Sequence, residues 1–440
     1  MAQTQTVTRA QQSAPESFDL GEPSAIERDV VLHASLIADT QVPDGGYGWV
    51  VVLAGAVQTW WFVGAAYTWG VMQAALVQKG YASSTLAFVG SLSPACIAVL
   101  AIPNASVVQL VGARLSGLLG IFLLGLGSIL SSFAVDSIPG LFITWGLVCG
   151  IGTSLCFMVV SVIPAQYFKA KRGIANGIVY AGGGVGGTVM SFILDALLQS
   201  VGIAWTFRIF GFMVLGTGLP TAYLIKERIP IRTTRFVEWH LFRDTRFVLV
   251  FLIGLIGTFP LFVPVFFLPL YTNSLGLPSS AGAGLVAAFN FCSTIGRLSC
   301  GFACDKLGTL STLFLTQLLS ALSLFIIWPL SSSIGPLIAF VVVNGIANGG
   351  FFSTMPTVVG NVFGSARVSV AMGMIVSGWL GGYLLGAPIA GYILSAYGGE
   401  SSGIAAYRPA IFYAASMAMA ATVLAASVRL TVDRSLKKTV

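Results

Sequence analysis

The sequence predicts an all-α membrane protein of twelve transmembrane helices in two pseudo-symmetric six-helix halves. Three observations carry that expectation. Of the 440 residues, 56% are hydrophobic and only 8% charged, whereas a soluble domain carries roughly a quarter charged residues. Apolar runs of about 20 residues, each long enough to cross a bilayer, recur twelve times around one long charged interruption. Lysine and arginine collect in alternate loops, as topology in a membrane requires.

Residues 1–43 are polar and contain no apolar core of the kind a signal peptide needs, so they read as a disordered cytosolic tail. The first half spans 44–225, with apolar runs at 47–73, 86–108, 115–134, 139–163, 174–198 and 205–225. The segment KERIPIRTTRFVEWHLFRDTRF (226–247) breaks the series and reads as a cytosolic linker. The second half, 248–428, repeats the pattern at 248–271, 281–303, 310–330, 336–359, 368–396 and 409–427, before a short tail at 429–440. With the N-terminus inside, Arg114, Lys169, Lys171, Arg172, the linker cations, Lys306, Arg367 and the C-terminal cations share one side. The other keeps Lys79, Arg208 and Arg408. Both termini and the linker are therefore expected in the cytosol of a multi-pass protein, with the plasma membrane as the expected location.

The formal charge of +7 is spread over these loops rather than gathered in a patch, which argues for membrane orientation and against nucleic acid. All six cysteines, Cys96, Cys149, Cys156, Cys292, Cys300 and Cys304, lie in or beside apolar runs and read as small buried residues. No histidine stands near Cys300 and Cys304 in sequence, so neither a metal site nor a cofactor is expected. No paired acids, histidine cluster or activated serine suggests catalysis, and no Walker motif suggests an ATP-driven pump.

The halves echo one another. RGIANGIVYAGGGVGG (172–187) resembles RVSVAMGMIVSGWLGG (367–382), and a shift of 196 places Ala175 on Ala371, Gly177 on Gly373, Gly182 on Gly378 and Gly186 on Gly382. GGGVGG formally satisfies a dinucleotide fingerprint. Inside an apolar span and without a preceding strand, it reads instead as a surface for close helix packing. Two similar six-helix halves joined by a cytosolic linker resemble the layout of the major facilitator superfamily, which implies a substrate site between the halves near the bilayer midplane.

GFACDKLG (301–308) resembles that superfamily's cytosolic loop motif, with Asp305 and Lys306 before a glycine turn. A carboxylate there can latch neighbouring helices in one state, or the segment is simply a solvated turn. Its counterpart after the second run, ASVVQLVGAR (105–114), carries Gln109 where the acid would fall. Arg297 lies eight residues before Asp305, about 12 Å along a helix, too deep to reach the headgroups easily. Asn290, Ser293, Thr294 and Arg297 form one polar stripe. A charge so placed costs about 2.5–3.5 kcal/mol on insertion. Arg297 is expected either to face the cavity and hold an anionic or polar substrate group, or to bond backbone carbonyls of a neighbouring helix. Asn344, Asn348 and Phe352 form a second stripe. Trp61, Ala65, Thr68 and Met72 form a third with Tyr67 and Trp69 beside it, either cavity lining or packing. Asp195 is the acidic residue nearest a span, towards its outer end, and no midspan proton relay is evident.

PDGGYGWVVV (43–52) resembles the signature of the monocarboxylate porter family within that superfamily, and YFKAKRGIANGIVYAGGGVGG (167–187) resembles the second signature. The polar tail and short linker are most similar to the fungal branch. In the first signature Asp44 is expected at the positive end of the first helix, with Gly45 and Gly46 forming a turn and Tyr47 and Trp49 at the headgroups. The resemblance implies gating roles for Asp44, Gly45, Gly46, Arg172, Gly177, Asp305 and Lys306. It also places Tyr67 where lactate-type members carry a lysine, and Ser293 where they carry an aspartate four residues before the arginine.

The expected function is a secondary-active carrier of a small organic metabolite, carboxylate-bearing, with or without a proton, working by alternating access. Arg297, Asn290, Tyr67, Trp61, Asn348 and Phe352 are the candidate substrate residues. Export of a larger secondary metabolite is the alternative, and a non-transporting receptor the remote one. The lipid bilayer is the expected surrounding, and an accessory subunit is left open.

Overall fold

In a computed structural model, the described residues are 42–81, 83–228, 237–364, 367–399 and 402–432. Most of the predicted tail, the middle of the linker and the final eight residues lie outside them. Among the described residues every regular element is helical. That is the economical answer for backbone in lipid, where each amide must find its partner within its own segment.

The helices are α1 (Gly48–Gln78), α2 (Ser83–Val99), α3 (Ala101–Val111), α4 (Ala113–Ser131), α5 (Ile138–Tyr167), α6 (Arg172–Leu224), α7 (Thr245–Gly257), α8 (Val263–Ser274), α9 (Ser279–Leu307), α10 (Thr309–Ile327), α11 (Ile334–Phe363), α12 (Val368–Ala396) and α13 (Arg408–Val432). Ten helices among the described residues are long and apolar enough to span a membrane, eleven if α2 and α3 count as one bent span. The short pair α7 and α8 takes the position of the seventh predicted run.

The departures from straight helices have local causes. Pro103 cannot donate the amide that would carry α2 into α3, and the two meet at 59°. Pro260 lies in the break between α7 and α8, and Pro264 is the second residue of α8. In α6, Gly202 takes φ 79°, a left-handed conformation that divides the element into two spans. In α12 the backbone turns at Gly378 and Trp379.

Glycines set how closely helices approach. A methyl at Gly186 would lie 2.5 Å from the Trp60 carbonyl oxygen, and one at Gly182 would strike that of Ala56, so the start of α6 lies directly on α1. The second half repeats this contact, Gly382 and Gly386 meeting Thr258 and Phe259. The GGGVGG run is thus a packing surface, as its setting in an apolar span implied.

One end of the bundle carries residue 44, the linker and the loops before α4, α6, α10 and α12. It is termed the linker end. Contacts tie it together: the Tyr47 hydroxyl donates to the Leu224 carbonyl at 2.8 Å, and Tyr167 donates to that of Lys226 at 2.7 Å. At the opposite end Lys79 pairs with Asp136, and Arg208 Nε donates to Ser132 Oγ at 3.0 Å.

Candidate functional site: a buried cation above a closed end

Midway along α9, Arg297 is 1% exposed. One guanidinium nitrogen donates to the Tyr180 carbonyl on α6 at 2.7 Å, and another to the Tyr67 hydroxyl on α1 at 2.9 Å. Its third nitrogen, Nε, has no partner among the described residues. The Phe352 ring lies 5.5 Å and the Tyr67 ring 6.0 Å from the guanidinium carbon, near enough for cation–π attraction. Tyr383 of α12 packs edge-on against Phe262 at 5.5 Å and Trp379 at 6.0 Å. Of the two sequence alternatives for Arg297, the bond to a neighbouring carbonyl is present, and the side chain stands where the halves meet with one donor to spare. No carboxylate pairs with it among the described residues. Ser293, one turn earlier, is buried with its hydroxyl unpartnered.

The other predicted substrate residues divide. Phe352 and Tyr67 join the Arg297 group. Asn290 lies one α9 turn beyond Ser293 and Thr294 and is buried. Asn348 instead donates to the Leu261 carbonyl at 2.9 Å, satisfying backbone freed by the break between α7 and α8. Asn344 turns towards α10, donating to Ser323 Oγ at 2.8 Å. Trp61 packs edge-on against Phe210 at 5.7 Å inside the first half, apart from Arg297. The side chains of Asp195 and Thr68 lie outside the described residues.

At about the level of the cation, aromatic rings also meet across the halves. Phe157 of α5 contacts Trp379 of α12 at 5.9 Å, with Tyr180 and Phe351 flanking them. Sequence reasoning missed this pair because isolated aromatics in apolar spans carry no periodic signal.

The linker end itself is closed. Asp305 at the foot of α9 accepts from the amides of Gly173 (2.7 Å) and Ile174 (2.8 Å), capping the start of α6 from the opposite half. Helix starts hold unpaired amides and partial positive charge, so a carboxylate is well matched there. Arg172 donates to Asn361 Oδ1 at 2.7 Å, and one helical turn along Asn176 donates to Thr357 Oγ1 at 2.7 Å, two rungs joining α6 to α11. Gly173, Gly177 and Gly301 let α6 and α9 touch: a methyl at Gly177 would sit 2.7 Å from the Arg297 carbonyl oxygen. Lys306 is exposed beside Phe302, at 5.8 Å, and takes no part in the cap.

Asp44 corrects the sequence reading. Its carboxylate does not serve α1. It accepts from the amides of Lys169, Ala170 and Lys171 at 2.7, 2.8 and 3.2 Å, in the loop leading into α6. Asp44 and Gly46 adopt φ values of 50° and 60°, a tight left-handed turn that Asp and Gly tolerate. Gly48 is needed for a different reason, since a methyl there would meet the Tyr167 side chain at 2.8 Å. At the related closure between α3 and α12, no carboxylate caps the second helix from the first. Gly373 lies against Ala105, Ser369 Oγ donates to the Ala105 carbonyl at 3.4 Å, and Arg367 faces Glu238 of the linker at 3.8 Å. The start of α4 is capped at 2.5 Å by Glu227, at the beginning of the linker and not from the second half. The ionic closure across the halves is thus one-sided.

A sequence profile of the Major Facilitator Superfamily matches residues 49–299 and 278–440. Among curated relatives, the aspyridones efflux protein apdF of Emericella nidulans is 28% identical over 81% of this chain and 74% of its own length. The MFS-type transporters pynF of Aspergillus niger and opdF of Penicillium oxalicum are 28% and 26% identical, over 79% and 88% of this chain and 82% and 93% of theirs. Among solved structures, the E. coli fucose:proton symporter FucP superposes with a TM-score of 0.69 at 12% identity, covering 86% of this chain and 99% of that one. The human organic anion transporter MFSD10 gives 0.70 at 13%, covering 87% and 100%. These two likenesses are of fold alone. The relatives named here are fungal MFS-type transporters rather than monocarboxylate porters, so the superfamily is the level at which the comparisons speak. With a match that runs through both halves, the chain belongs to the Major Facilitator Superfamily.

Proposed function

We propose that the protein exports an acidic organic metabolite, of the secondary-metabolite kind, by alternating access between its halves. The observation that carries this reading is Arg297, a buried guanidinium between the halves with one unpartnered donor and no carboxylate opposite it among the described residues. A permanent positive charge in that position is balanced most simply by an anionic group on the cargo. The surrounding Tyr67 and Phe352 rings suit a larger, partly aromatic body better than a lactate-sized acid. The efflux named for the relative apdF supports the outward direction.

The likeness to monocarboxylate porters fits a shared scaffold whose binding chemistry has changed at Tyr67 and Ser293. In this reading Asp305, Arg172 and Asp44 hold the linker end shut, and that end faces the cytosol of a plasma-membrane protein, as the distribution of basic residues favours. Uptake of a smaller carboxylate remains the second reading, and PDGGYGWVVV is the feature in its favour.

Metabolite profiles of cells and medium, with the gene intact, deleted or carrying Arg297→Gln, test the proposal. Deletion and Arg297→Gln are both expected to move one or a few acidic compounds from the medium into the cells. Unchanged partition in both strains would remove export as the function. A neutral compound retained on deletion but still exported by Arg297→Gln would remove the role given to Arg297.

A further inference from the structure

Resting on the reading that Arg297 binds an anionic cargo, we infer that this carrier moves its anion without a proton, so that net charge crosses the membrane with each cycle and membrane potential drives export. Among the described residues the groups that meet Arg297 are Tyr67 from α1, the Tyr180 carbonyl from α6 and Phe352 from α11, with Ser293 one turn away on its own helix. None of these is a carboxylate or a histidine.

A carrier that couples an anion to a proton needs a group that exchanges that proton beside the binding cation. The group keeps the empty site neutral and gives up its counter-charge when the anion arrives. Here the hydrogen bond from Arg297 to the Tyr67 hydroxyl occupies the guanidinium without neutralising it. The empty site carries a net positive charge, and the arriving anion cancels it directly. Tyr67 is then a positioning residue: it holds the guanidinium aimed between the halves, and the cargo either displaces its hydroxyl or accepts from the adjacent free Nε. Where the cell interior is negative, an anion released this way leaves down the electrical gradient.

The test uses the full-length protein in liposomes with two probes, naphthoate and naphthalenesulfonate. The sulfonate stays ionised at any working pH, so it does not leak across lipid as a neutral acid. Uptake is measured under a valinomycin–potassium potential of either sign at equal pH, and under a pH gradient with the potential clamped at zero. An inside-positive potential is expected to raise sulfonate uptake several-fold over an inside-negative one, with little response to the pH gradient. Arg297→Gln is expected to abolish the difference, and Asp195→Asn to retain it. Ser293→Asp, which puts a carboxylate one turn from Arg297, is expected to make naphthoate uptake respond to the pH gradient.

Uptake driven by the pH gradient and indifferent to potential in the unaltered protein overturns the inference while leaving the anionic cargo intact. Loss of that drive in Asp195→Asn would then identify the proton's carrier. If neither probe is carried and neither protects the protein against heating, the anionic reading is overturned and the inference with it.

Discussion

Arg297 and Tyr67 lie 230 residues apart in sequence and meet at 2.9 Å, joining the two halves of the protein through one hydrogen bond. Removing the hydroxyl leaves a buried guanidinium nitrogen unpaired, which costs about 1–3 kcal/mol. Tyr67→Phe is therefore expected to lower the midpoint of thermal unfolding in detergent while leaving the fold intact. A bound anion should restore part of the loss by taking the vacated donor. An unchanged midpoint would show that the bond contributes nothing in the closed state.

The cap that Asp305 places on α6 is made of two hydrogen bonds to a charged acceptor, each worth about 1.5–3 kcal/mol. Asp305→Asn is expected to shift the population towards a state open at the linker end. Cys304 offers a native reporter, because it is 4% exposed beside this contact. In a background where the other cysteines are serine, maleimide labelling of Cys304 should accelerate several-fold in Asp305→Asn. Equal labelling rates would exclude the cap as a determinant of closure.

Asp44→Ala should act through the same helix by another route. The loop at 169–171 loses its acceptor, the start of α6 is less well fixed, and Asp305 then caps a mobile target. The Asp44→Ala/Asp305→Asn pair is expected to be less than additive in Cys304 labelling. Strict additivity would separate the two carboxylates.

Gly186→Ala and Gly216→Ala form a matched pair. At Gly186 the new methyl would lie 2.5 Å from the Trp60 carbonyl oxygen, whereas at Gly216 nothing stands within 4 Å. The first is expected to cost about 1–3 kcal/mol through forced separation of α1 and α6, and the second to be neutral or slightly stabilising. Similar unfolding midpoints for both would mean that the helices do not rely on this close approach.

Much of this architecture was legible because hydropathy, glycine spacing and basic loops are properties of the chain alone. Arg297 stood out for the same reason: a charge in an apolar run is visible without any neighbour. The partners were not. Asp44 reads naturally as the cap of the helix it precedes, yet its acceptor geometry is satisfied by a loop more than a hundred residues on. Asn348 shares a helical face with Phe352, but the break at Pro260 exposes a carbonyl that captures it. Trp61 belongs to a stripe whose direction within the bundle the sequence does not reveal. Stripes give a face, and only tertiary packing says what the face looks at.

The grip of Asp44 on residues 169–171 also bears on how the chain is assembled. As synthesis proceeds from the N-terminus, the first span enters the membrane with its carboxylate waiting for amides that three further crossings must deliver. When they arrive, the beginning of the first half is fastened to the start of its fifth span. Asp305 is made later still, and the seat it needs is by then already in place. The chain can thus complete its first half before the second has anything to dock against, and the bonds of Asn361 and Thr357 to the same helix follow that of Asp305.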